Sequence, residues 1–182
     1  MAGDDPQFAD PHFDYKHNIL KNIPGFTDPK RLDLFERKRA ARAILNIFKD
    51  IYPWAGEFRQ VNIRRSGSYF FSLVPFMEQN LESTLAKLAL EDRLKGHAAD
   101  EFARRAAYYL GELNAIHPFR EGNGRTQREL VRQLAAEAGY RINWGRVTGE
   151  QMYGASIESH NLGNNAAFAK LIALATEPGL FT

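Results

Sequence analysis

Pro118 constrains this chain more than any other residue, because it falls between its two most regular amphipathic stretches. Upstream, Phe102, Ala106, Tyr109, Leu110, Leu113 and Ile116 recur at helical spacing; downstream, Leu130, Val131, Leu134 and Ala138 do the same. A residue before proline is pushed out of the α conformation, so the first helix must stop at His117. The second starts near Gly124 and should end at Ala138, with Gly139 just past its C-terminus. Two helices are thus joined by a short turn, and the chemistry of that turn is set by very few residues.

The rest of the chain reads as mainly α. Residues 1–27, rich in Asp, Pro and Phe without sustained periodicity, are expected as an extended N-terminal arm, and residues 28–182 as one domain. Asp28 is a good N-cap and Pro29 suits a first turn; Leu32, Phe35, Ala40, Ile44, Leu45 and Phe48 then supply an apolar face that stops before Pro53. From Phe58 to Ile63 apolar and polar residues alternate, Arg64 to Ser68 is turn-like, and Tyr69-Phe70-Phe71 follows, which predicts a β-hairpin. After Pro75, the spacing of Met77, Leu81, Leu85, Leu88 and Leu94 predicts a helix ending near Gly96, and one or two further helices lie between Thr148 and Ala175. The expected architecture is a helical bundle with one β-hairpin.

Composition removes several function classes. Across 182 residues, 44% are hydrophobic, enough for a buried core, while a net charge of +2 gives no global footprint for nucleic acid. Cysteine is absent, which rules out disulfides, thiolate metal sites and cysteine nucleophiles and suits a reducing cytoplasm. No apolar run approaches the roughly 20 residues of a membrane-spanning helix, and residues 1–15 lack the apolar stretch of a signal peptide. A cytoplasmic protein without membrane contact is expected, and delivery into a host cell by a different signal is compatible with these residues.

The turn itself reads His117-Pro118-Phe119-Arg120-Glu121-Gly122-Asn123-Gly124-Arg125-Thr126-Gln127-Arg128. Two glycines around an asparagine, leading into a helix N-terminus, let backbone N–H groups converge on an anion. Arg125 and Arg128 share a face of the first helical turn, where two guanidinium forks suit a polyphosphate. Glu121 is a hard oxygen ligand at the mouth of this nest, of the kind Mg²⁺ takes together with substrate phosphates. His117 is the side chain here whose ordinary pKa lets it accept a proton near neutral pH. A zinc site does not fit, since His117 and Glu121 flank Pro118 and no second histidine follows at ligand spacing. A P-loop does not fit either, because Gly-Lys-Ser or Gly-Lys-Thr is absent.

This segment resembles the Fic motif, His-x-Phe-x-Asp/Glu-Gly-Asn-Gly-Arg-x-x-Arg, at every defined position. Outside it, Tyr52-Pro53-Trp54-Ala55-Gly56-Glu57, then Arg59 and the hairpin, is similar to the family's approach to its target-docking flap. The resemblance implies the Fic fold, with the hairpin as a flap beside the active-site loop, and a protein adenylyltransferase that moves AMP from Mg-ATP onto a Ser, Thr or Tyr hydroxyl with release of pyrophosphate. His117 would be the base; Gly122, Asn123, Gly124, Arg125 and Arg128 would hold the ATP phosphates; and Glu121 would hold Mg²⁺. Phe119 would be a core anchor, Tyr153 and Asn161 would contact adenine, and Arg59, Val61, Ile63, Arg64 and Tyr69 would line the flap. Gly124 stands where the related Doc toxins, which transfer phosphate, carry a lysine, and this favours AMP. Transfer of another group (UMP, phosphocholine or phosphate) and a non-catalytic protein-binding module are the alternatives. Many Fic domains carry an inhibitory Ser/Thr-x-x-x-Glu-Gly/Asn helix; here no Ser or Thr has a Glu four residues later. Any inhibitory helix is therefore expected from a separate, small antitoxin-like protein.

Overall fold

Among residues 57–179, the part of the chain that the computed structural model describes, five α-helices run α1 Val74–Leu90, α2 Ala99–Ile116, α3 Asn123–Glu137, α4 Gly149–Leu162 and α5 Ala166–Ala175. The expected N-terminal arm, the helix from Asp28 and the segment up to Gly56 lie outside the described residues. No helix among the described residues is long and apolar enough to cross a membrane.

α2 is the axis of the bundle. Its buried side chains include Phe102, Ala106, Tyr109, Leu110, Leu113, Asn114 and Ile116, and it packs against all four other helices. Burial this wide, leaving only a stripe through Arg104, Tyr108 and Ala115 to face outward, is what a central helix requires. Gly111 permits the closest approach: a Cβ there would lie 2.2 Å from Oδ1 of Asn165, which begins α5. α4 starts with a reciprocal cap in which Thr148 and Gln151 each bond the other's backbone N–H.

The helix expected to end near Gly96 stops at Leu90. Asp92, Arg93 and Leu94 take left-handed backbone angles, and this brings Leu94 into full burial from a turn instead of from a helix. Two ion pairs hold the turn: Arg93 binds Glu137 through two 2.6 Å bonds, and Glu91 receives Arg105 and Tyr109.

The expected β-hairpin is reduced to one bridge, Arg64 with Phe70, and a bond from Phe71 N–H to Ile63 C=O. The ladder cannot extend because its acceptors and donors are spoken for. Arg59 takes the carbonyls of Val61 and Ser72, Ser72 N–H goes to Ala115 C=O, and Val74 N–H goes to the Asn62 side chain. The two-stranded sheet of the described residues lies elsewhere, where β1 Tyr140–Ile142 pairs antiparallel with β2 Thr176–Pro178.

Candidate active site

His117 ends α2 in the left-handed conformation, φ 49° and ψ 61°. The proline that follows disfavours the α region, and His117 leaves the helix through the αL well, which a histidine tolerates better than most side chains. Arg59 holds this strained turn. Its Nε donates to His117 C=O at 2.9 Å, Nη2 to Ile116 C=O at 3.2 Å, and its own N–H to Pro118 C=O at 3.0 Å. Arg59, expected on the target-docking flap, is 1% exposed and acts as a buried staple between the flap and the end of α2.

The imidazole of His117 is oriented from both sides. Its face stacks on Phe71, and Nδ1 lies 3.3 Å from Asn114 C=O, an acceptor that fixes the proton on Nδ1 and leaves the lone pair on Nε2. Burial lowers its pKa to about 4, opposed by the Asn114 bond and reinforced by the charges of Arg65, Arg59 and His160. The ring is neutral at pH 7, as a proton acceptor must be.

Downstream, the chain passes into α3 through Gly122, whose φ of 83° suits glycine. Asn123, 3% exposed, closes the loop on itself: Phe119 N–H donates to its Oδ1 at 3.0 Å and its Nδ2 donates to Phe119 C=O at 2.8 Å. The Asn123 side chain is therefore committed to the loop, and its backbone N–H is what it can offer a phosphate. The same ring of bonds keeps Phe119 in the core, as expected. Glu121 is exposed and folds over the helix start, accepting from Gly122 N–H at 3.0 Å and from Arg125 Nη2 at 3.4 Å. A carboxylate thus already sits on the donors expected to bind phosphate.

A cavity of about 440 Å³ brings His117, Gly124, Arg128 and Tyr153 together. That volume falls in the range of small-ligand sites. Burial, then the neighbouring Arg125, draws the Arg128 pKa down, and a Cβ on Gly124 would stand 3.5 Å from Arg128 Nη1, so this guanidinium lies over the start of α3. Asn161 does not line the cavity; it bonds Ser68 of the flap instead. On the flap, Val61, Arg64 and Tyr69 are exposed and Ile63 is partly buried.

Arg65, read from the sequence as a flap residue for target choice, also lines the cavity, as do Asn114, Gln127, Trp144, Thr148 and Ser156, which sequence reasoning did not assign to the site. Asn114 carried a signal, since it is a polar residue on the buried face of α2, three residues before His117. Its Nδ2 donates to Ser156 C=O at 2.8 Å, tying the turn that orients His117 to α4.

Comparison with known proteins agrees with this geometry. A model of the Fic/DOC family matches residues 36–135. The protein adenylyltransferase VbhT of Bartonella schoenbuchensis is 39% identical over 184 residues, which take in 90% of this chain and 38% of that protein; this chain spans little more than a third of that relative's length. The probable protein adenylyltransferase y4lH of Sinorhizobium fredii is 32% identical over 161 residues, covering 78% of this chain and 83% of that one. Among solved structures, the BepC effector of Bartonella tribocorum with bound AMPPNP superposes with a TM-score of 0.74 at 27% identity, over 79% of this chain and 75% of that one. With the loop, the helix start and the bundle all matching, the chain belongs to the Fic/DOC family.

Proposed function

We propose that this chain is a protein adenylyltransferase, transferring AMP from Mg-ATP to the hydroxyl of a Ser, Thr or Tyr on another protein. One observation carries the reading: a neutral histidine, a helix N-terminus and a half-buried arginine meet in a single cavity sized for a small ligand. The naming of VbhT and y4lH as adenylyltransferases and the AMPPNP bound by BepC support it.

In this mechanism Nε2 of His117 takes the proton of the target hydroxyl as its oxygen attacks the α-phosphorus in line. A new O–P bond forms, the bond from the α-phosphorus to the bridging oxygen breaks, and pyrophosphate leaves. The N–H groups at the start of α3, together with Arg125 and Arg128, hold the phosphates, and Tyr153 lies against the nucleoside. No cluster of three metal-ligating side chains exists among the described residues, so Mg²⁺ would arrive with the nucleotide and take one carboxylate, that of Glu121. Bound there, Mg²⁺ would neutralise charge on the phosphates. Glu121 is exposed and meets Gly122 N–H and Arg125 at the mouth of the nest, a hard oxygen donor in the place such an ion needs.

Val61, Ile63, Arg64 and Tyr69 would dock the target segment along the flap. An inhibitory helix supplied by a separate small protein would regulate the enzyme, and loss of activity on mixing with the product of a neighbouring gene is the expected result.

The decisive experiment incubates the protein with cell lysate, Mg²⁺ and ATP labelled at the α or γ position, beside the His117→Ala variant. Protein labelling from α alone, lost in the variant, is expected. Labelling from γ would instead identify phosphate transfer, and suppression of labelling by excess UTP or CDP-choline would identify another donor.

A further inference from the structure

Fifteen residues line the cavity at His117, and none of them is Asp or Glu, while two are arginines. Arg128 lies over the start of α3. Arg65 comes from the flap, and its charge lies close enough to His117 to depress that residue's pKa. Its Nη2 donates to Ser156 Oγ on α4 at 2.8 Å, and its guanidinium carbon sits 5.7 Å from the Phe71 ring and 5.3 Å from the Tyr153 ring. Nη1 is closed off from solvent and has no acceptor. A desolvated guanidinium N–H without a partner is costly, and a small turn of the Arg65 side chain toward an anion in the cavity removes that cost.

The two cations therefore bracket the cavity from different elements, with His117 next to the flap cation. We infer that Arg65 is a further nucleotide-binding residue, supplying Nη1 to a non-bridging oxygen of the phosphate attacked at His117, while Arg128 serves the distal phosphates. This rests on the adenylyltransferase reading. It gives the flap a part in holding the nucleotide as well as the target, and it makes Ser156 the strut that fixes the guanidinium.

The test measures binding of ATP, AMP and adenosine to the wild-type protein and to Arg65→Ala, Arg65→Lys and Arg65→Gln, with thermal unfolding recorded for each. A lost charge-assisted bond should weaken AMP and ATP by a similar factor, roughly tenfold or more, and leave adenosine unchanged. Arg65→Lys should recover part of the AMP affinity, whereas Arg65→Gln should not. A merely structural role would weaken all three ligands together, and that outcome, or no change in AMP binding, overturns the proposal. Wild-type protein that binds none of the three would remove the nucleotide reading itself and this proposal with it.

Discussion

The imidazole of His117 lies flat against the ring of Phe71, with centroids 3.9 Å apart and planes 13° from parallel, and Phe71 in turn meets His160 at 4.5 Å. The flap thereby supplies one wall of the imidazole, so the rotamer of His117 depends on a residue 46 positions away.

Phe71→Leu keeps most of the apolar volume but removes the stacking plane. Stability should fall by less than about 1.5 kcal/mol, while the transfer rate drops roughly tenfold because the imidazole loses its orientation. Urea unfolding read beside single-turnover transfer separates the two effects.

The pKa of His117, lowered to about 4 by burial, gives two pH signatures. A neutral base persists through mild acid, so the acid limb of kcat/KM should lie well below 6.5. For stability the sign follows from proton uptake. Above about 6.5 the ring is neutral in both states. As pH falls from there towards 4, the unfolded chain binds a proton that the native state refuses. Stability is thus lost through that window, up to about 3 kcal/mol. Comparing urea midpoints at pH 7 and 4.5 for wild type and His117→Asn should show a smaller loss in the variant.

These features divide by how local their causes are. Helix α2 and its end at His117 were legible because periodicity and a proline act over a few residues, and so was the glycine-rich entry to α3. The extent of the flap's ladder was not legible, because alternation from Phe58 to Ile63 says nothing of Arg59 turning inward to occupy the carbonyls that a longer ladder would use. β1 and β2 were missed for a similar reason: each is three residues long, and their pairing joins Tyr140 to Pro178 across the last two helices. The contact between Asn161 and Ser68 was not legible either, since it spans 93 residues.

Asn123→Ala leaves Phe119 N–H and C=O buried without their partner. The expected loss is about 2 kcal/mol or more, together with weaker ATP binding because the start of α3 is no longer held. Denaturant titration with and without nucleotide tests both.

His117→Ala should abolish transfer while nucleotide affinity and folding stay close to wild type. Arg128→Ala should weaken ATP more than AMP, since in the proposed mechanism its fork holds the phosphates that AMP lacks. Calorimetric titration of both nucleotides into both variants checks the pair, and equal losses of ATP and AMP in Arg128→Ala would contradict the assignment.

All three guanidinium nitrogens of Arg59 are committed to main-chain carbonyls, those of Val61, Ser72, Ile116 and His117. Main-chain acceptors are indifferent to the side chains they carry, so the exposed residues Ser66, Gly67 and Tyr69 can change while the root of the flap keeps its distance from His117. Over evolutionary time such a joint lets one chemistry be passed from target to target, with new recognition written at the tip and the reaction geometry inherited unaltered.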